Sequence, residues 1–189
     1  MTDAQKSAVV EDIPNDQAAV GSSSKLRIRQ QEILAELGVL ALQGTPFPEL
    51  LTQTATLTAD GLEAEFCKVL EYQRKEARFL VTAGVGWGPE VIGVATVGAD
   101  IESPAGYALI TGKPVISNHL ENEDRFRTPE LLVTHGIRRA MNVSLQGDGS
   151  PYGVLKVDSR SEGEFSINDI SLFCKEPPTF WGWQSSASA

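Results

Sequence analysis

The stretch "RAMNVSLQGDGSPYGVLKVD" (residues 139–158) constrains this chain more than any other. Its first arm places Met141, Val143 and Leu145 on one face, "DGSP" reverses the chain, and "YGVLKVD" returns. Alternation with period two around a tight polar turn specifies an antiparallel hairpin. A hairpin with one apolar face needs a larger sheet and a covering layer to bury that face.

The rest of the sequence supplies both. Ile33, Leu34, Leu37, Leu40 and Ala41 recur at helical spacing, and Gly44 stops the run. A second helix begins near Pro46–Pro48, with Leu50, Leu51, Thr54, Ala55 and Thr58 on one face and Gly61 at its end. "LEAEFCKVLEY" and "ARFLVTA", joined by the charged turn "QRKE", read as another hairpin. "AGVGWGPEVIGVATVGAD" is too rich in glycine for a helix or a central strand and reads as a loop with a short strand or turn. "SPAGYALITG" is a short helix capped by Ser103, with Pro104 at its first position and Gly112 at its end. "KPVISN" is a strand, and "TPELLVTHG" a short helix with Thr128 as N-cap, Pro129 next and Gly136 as the stop. In "FSINDISLFC", Ser166 and Asp169 stand at capping-box spacing ahead of a stripe of Ile167, Ile170, Phe173 and Cys174. Helices, then strands and short helices, then a hairpin and a helix make an α+β chain built on an antiparallel sheet.

Bulk properties narrow the partners. At 189 residues the chain accommodates one domain with modest extensions. A net charge of -9 argues against nucleic acid or an anionic membrane surface as the main partner. No apolar run approaches the roughly 18 residues of a membrane span. No secretory signal is legible, and two isolated cysteines suit a reducing compartment, so a cytoplasmic chain is expected. Residues 1–24 are acidic, free of aromatics and end in Gly-Ser-Ser-Ser, which suits a flexible lead-in. Residues 175–189 contain paired prolines that cannot continue a helix, so an irregular tail is expected.

With these segments laid out, residues 25–174 resemble a GAF domain, a small sensory module of bacterial signalling proteins. The resemblance is carried by "AGVGW" (83–87), "SPAGYALITGKPVI" (103–116), "NHLENEDRF" (118–126), "PELLVTHGI" (129–137), "NVSLQGDGSPYGVLKVDS" (142–159) and "FSINDISLF" (165–173), in family order. It implies a six-stranded antiparallel sheet with helices on both faces. It also implies a small-molecule pocket roofed by the middle loops, and terminal helices that pair with a second subunit. Residues 103–126 would form roof and wall. The resulting candidate ligand contacts are Trp87, Tyr107, His119, Arg125 and Phe126.

The resemblance also shows what chemistry is missing. Members that attach a linear tetrapyrrole carry a cysteine near "TPELLVTHG"; here there is none, and Cys67 and Cys174 read as small buried hydrophobes. Free-methionine-sulfoxide reductases of this fold need pocket cysteines, whereas residues 84–140 contain none. Of the cyclic-nucleotide pattern only Phe165 and Asp169 remain, and these are better explained as strand-end packing and a helix cap. Neither His119 nor His135 has a metal-ligand partner at suitable spacing. Arg125, Arg127, Arg138 and Arg139 could meet a carboxylate or phosphate, or pair with Glu121, Glu123, Asp124 and Glu130.

The sequence reading is therefore a non-catalytic sensory domain for a small molecule whose identity, and any cofactor, the sequence leaves unknown. By resemblance it belongs to a sensor histidine kinase or other two-component protein and forms a homodimer. The alternative is a dimerisation scaffold with a vestigial pocket, its surface provided by residues 25–43. Under one choice of codons, "EPPTFWGWQS" read in another frame encodes an apolar helix of the kind this family carries there. The tail is accordingly expected to be a frameshifted remnant of a longer signalling protein.

Overall fold

The computed structural model describes the backbone of residues 16–147 and 149–169, with side chains from Ile28 onward. Its elements are α1 (Asp16–Leu42), α2 (Phe47–Gly61), β1 (Phe66–Gln73), β2 (Arg78–Val85) and β3 (Thr96–Gly98). They continue with α3 (Pro104–Thr111), β4 (Val115–Ser117), a 3-10 turn (Leu120–Asn122), α4 (Glu130–Thr134), β5 (Arg139–Gln146) and β6 (Pro151–Ser159). The strands form one sheet in the order β3-β2-β1-β6-β5-β4, every neighbouring pair antiparallel. Helices lie on both faces, so the α+β class and the sheet are as the sequence and the resemblance implied.

Alternation along the central strands sorts residues between two layers. Cys67 and Val69 of β1, Leu155 and Val157 of β6, and Met141, Val143 and Leu145 of β5 meet Leu51, Ala55, Ala59 and Leu62 on and just after α2. In α2, Pro48 and Glu49 occupy the first turn, where a missing N–H and a negative charge are both tolerated. Thr54 lies in this core because its hydroxyl donates to the Leu50 carbonyl at 2.8 Å. Behind α2, Ile33 and Leu37 of α1 pack on Leu50 and Leu57. The two helices approach so closely that a Cβ at Gly61 would stand 2.3 Å from Ile33 Cδ1.

The opposite layer holds Leu70, Phe79, Val81 and Val154 beneath Ala105 and Leu109 of α3. A β-bulge lets β2 serve both layers. Val69 pairs with Ala83 but Leu70 pairs with Val81, leaving Thr82 as the extra residue. Ala83 consequently faces α2 while Phe79 and Val81 face α3.

The structure departs from the sequence reading in three places. First, α1 begins at Asp16, ahead of the expected boundary at Lys25. Gln17, Ala18 and Ala19 favour a helix, and the backbone continues helical through Gly21 and the serines that follow. Second, Thr128 does not cap α4. Pro129 occupies the N-cap position with extended backbone (ψ 141), and its ring carries no group that could make a side-chain cap bond. Third, Ile167 is exposed. Asp169 does accept from the Ser166 amide at 2.7 Å, the acidic half of the expected capping box. Ile170, Phe173, Cys174 and the tail 175–189 lie outside the described residues, as do residues 1–15 of the lead-in.

Candidate functional site

The face opposite α2 carries a cluster of buried charge. Lys68 and Lys156 stand directly opposite each other on β1 and β6, and Asn142 of β5 continues the row beside Lys156. Like charges in direct register repel. Asp158, two residues along β6 on the same face, offsets them: one carboxylate oxygen accepts a short hydrogen bond from Lys68 Nζ, and the other lies 3.7 Å from Lys156 Nζ. Lys68, Lys156 and Asp158 are 1, 3 and 0% exposed. Two ammonium groups and one carboxylate leave one positive charge uncompensated within the cluster.

The surroundings press on that charge. The Trp87 ring centroid lies 3.6 Å from Lys68 Nζ, a cation–π contact in a nearly dry setting. Phe66 and His135 brace the indole, with centroids 4.8 and 5.0 Å from it. Burial lowers the Lys68 pKa from 10.5 to about 8, with Asp158 opposing and Lys156 reinforcing the shift. On the other side of β1, burial first and then the Asp158 charge push the Cys67 thiol well up, so it behaves as the small buried hydrophobe expected.

Above the lysines lies a cavity of about 330 Å³. Lys68, Lys156 and Leu70 contribute its floor; Val97, Ala105, Pro129, Leu131 and Leu132 give apolar walls, and Arg127 and Glu130 also line it. The α3 roof is held by local chemistry. Ser103 Oγ accepts from the Gly106 amide at 3.0 Å and donates to the Asp100 carbonyl at 2.8 Å, and Gly112 closes the helix at φ 67. A Cβ at Gly106 would stand 1.9 Å from the Asp100 carbonyl oxygen, so only glycine lets α3 seat against that turn.

A sequence profile described as "GAF domain" matches residues 44–173. The chain belongs to the GAF domain family. Solved GAF structures agree in fold. The GAF domain of an Acinetobacter phosphoenolpyruvate-protein phosphotransferase is 18% identical at a TM-score of 0.64, covering 76% of this chain and 84% of that one. Free methionine-R-sulfoxide reductase from Neisseria meningitidis, solved with its substrate, is 16% identical at 0.64, covering 80% and 83%. The phycocyanobilin-bound GAF domain of a cyanobacterial phytochrome is 16% identical at 0.63, covering 76% and 86%. No curated protein matches the sequence.

In this GAF domain none of the five expected contact residues lines the 330 Å³ cavity. Trp87 comes nearest, as the lid on Lys68. Tyr107 and Phe126 pack against each other, centroids 5.3 Å apart. Arg125 grips Glu123, with Nη2 to Oε2 at 2.6 Å, and donates to the Ile116 carbonyl at 2.8 Å; this holds the Glu123 pKa down at about 2. His119 is exposed and lines a separate hollow of about 360 Å³ with Asn118, Arg138 and Glu162. The remaining arginines are largely engaged: Arg127 with Asp100 at 3.0 Å, Arg138 with Glu162 at 2.5 Å, and Arg139 over the Phe165 ring. His135 Nδ1 lies 2.9 Å from the Leu131 carbonyl at the end of α4. Among the described residues no set of side chains could hold a metal ion, and no helix is long and apolar enough to cross a membrane.

Sequence reasoning missed the lysines, although their signal was present. "FCKVL" and "VLKVD" each set a lysine between apolar neighbours in a central strand, and a buried polar residue is the informative departure from pattern.

Proposed function

We propose that this GAF domain is a non-catalytic sensory module that binds a small molecule in the 330 Å³ cavity. The observation that carries the reading is that cavity itself, apolar in its walls and bearing two buried cations in its floor, the composition of a ligand site. Occupancy is relayed by population shift. Lys68 and Leu70 face the cavity, while Cys67 and Val69 on the same strand face α2, on which α1 rests. The output is a histidine kinase or other two-component partner in the cytoplasm, and the domain works as a homodimer through its terminal helices.

The dimer draws support from α1. Ile28, Leu34, Val39 and Leu42 are exposed there, 45 to 90%, beside the face that packs on α2. The same surface favours the second reading, a dimerisation scaffold whose cavity is vestigial. Native mass spectrometry with a thermal-shift ligand screen on the full chain decides between them. A retained metabolite or a ligand-dependent rise in Tm supports the sensor; a persistent dimer that nothing shifts supports the scaffold.

A further inference from the structure

Resting on the sensory reading, we infer that the cavity takes an organic monocarboxylate with an apolar body, its carboxylate docked on Lys156. Lys156 is 3% exposed, and its one ion-pair partner among the described residues is Asp158 Oδ1 at 3.7 Å, beyond hydrogen-bond reach. Asp158 itself is committed through its other oxygen to Lys68. A buried ammonium donates three hydrogen bonds or bears a desolvation penalty, and here nothing among the described residues accepts them. Beside it, the Asn142 amide is fully buried, with neither its nitrogen nor its oxygen hydrogen-bonded. An ammonium without an acceptor in the floor of a cavity, with an unsatisfied amide beside it in the sheet, calls for a ligand that completes the ammonium.

Charge selects the class of ligand. The floor carries one surplus positive charge, and a single carboxylate brings it to neutrality. A phosphate monoester carries about -1.5 to -2 at neutral pH and would replace a buried cation with a buried anion. Farther up the wall, Arg127 is already paired with Asp100, while Glu130 contributes a further negative group and disfavours a second anionic end. Leu70, Val97, Ala105, Leu131 and Leu132 demand an apolar body.

The test uses the full chain with hexanoate, octanoate and benzoate, each beside its primary amide, and hexyl phosphate, all titrated by calorimetry. At least one carboxylate should bind, with its amide and hexyl phosphate at least about tenfold weaker, a difference of about 1.4 kcal/mol. Lys156→Met should abolish that binding yet leave the unliganded Tm unchanged or higher, which separates a lost site from a lost fold. The comparison of carboxylate with amide needs no variant at all. An amide or hexyl phosphate binding as tightly as the carboxylate, or Lys156→Met retaining carboxylate affinity, overturns the ligand class and leaves the sensor standing. Failure of every probe, with no metabolite retained on native mass spectrometry, overturns both.

Discussion

The two faces of the central strands are built from alternate residues of the same segments, yet they follow opposite rules. Toward α2, Cys67, Val69, Met141, Val143, Leu155 and Val157 form a wholly apolar layer. Toward α3 and α4, the intervening positions include Leu70 and Val154 but also Lys68, Asn142, Lys156 and Asp158. Both layers are equally closed to bulk water, so burial does not distinguish them. The apolar side is where packing stabilises the domain. The charged side carries a desolvation cost that packing alone does not explain, and such departures concentrate where a protein does its work.

The largest break in this comparison is Asp158→Ala, which strands both lysines; stability should fall by about 3–5 kcal/mol, read by chemical denaturation. Leu155→Ala, three residues back along the same strand but in the apolar layer, should cost about 3 kcal/mol through a cavity alone, and should leave small-molecule binding intact if the domain stays folded. Lys156→Met should act in the opposite direction. Removing the surplus charge and filling its volume should raise unliganded stability by about 1 kcal/mol in the same assay.

The most gradual effect is with pH. Lys68 in the folded chain releases its proton at about 8, below its ordinary 10.5, so between those values the unfolded chain binds more protons. Stability should therefore rise across that window, and the rise should vanish in Lys68→Met. A denaturation midpoint for the parent chain that is flat against the variant across this range would contradict the proposed burial of a charged lysine.

The apolar layer was legible because it obeys periodicity. Leu50, Leu51, Thr54, Ala55 and Thr58 fell on one helical face as spacing required, and Met141, Val143 and Leu145 on one strand face. Ser103 and Gly112 were equally readable, since each does a local backbone job. The site was not, because its members come from β1, β5 and β6 and are brought together by strand register, which no single segment encodes. Tyr107, Arg125 and Phe126 have the residue types of ligand contacts and lie within one contiguous stretch. The chain instead uses them on each other and on Glu123, outside the cavity lining. Trp87, expected as a ligand contact, covers Lys68 instead, a partner on another strand that its own segment does not encode.

The extra residue at Thr82 sets which alterations β2 can absorb. Deleting Thr82 alone would keep Val81 opposite Leu70 and Ala83 opposite Val69 and so preserve both layers, whereas deleting Leu80 would set Phe79 opposite Glu71, on the α2 side, and pull an aromatic prop from under α3. This strand should thus survive loss of its extra residue and resist a deletion at its paired positions, and a library of single-codon deletions would show Thr82 as the permissive position within β2.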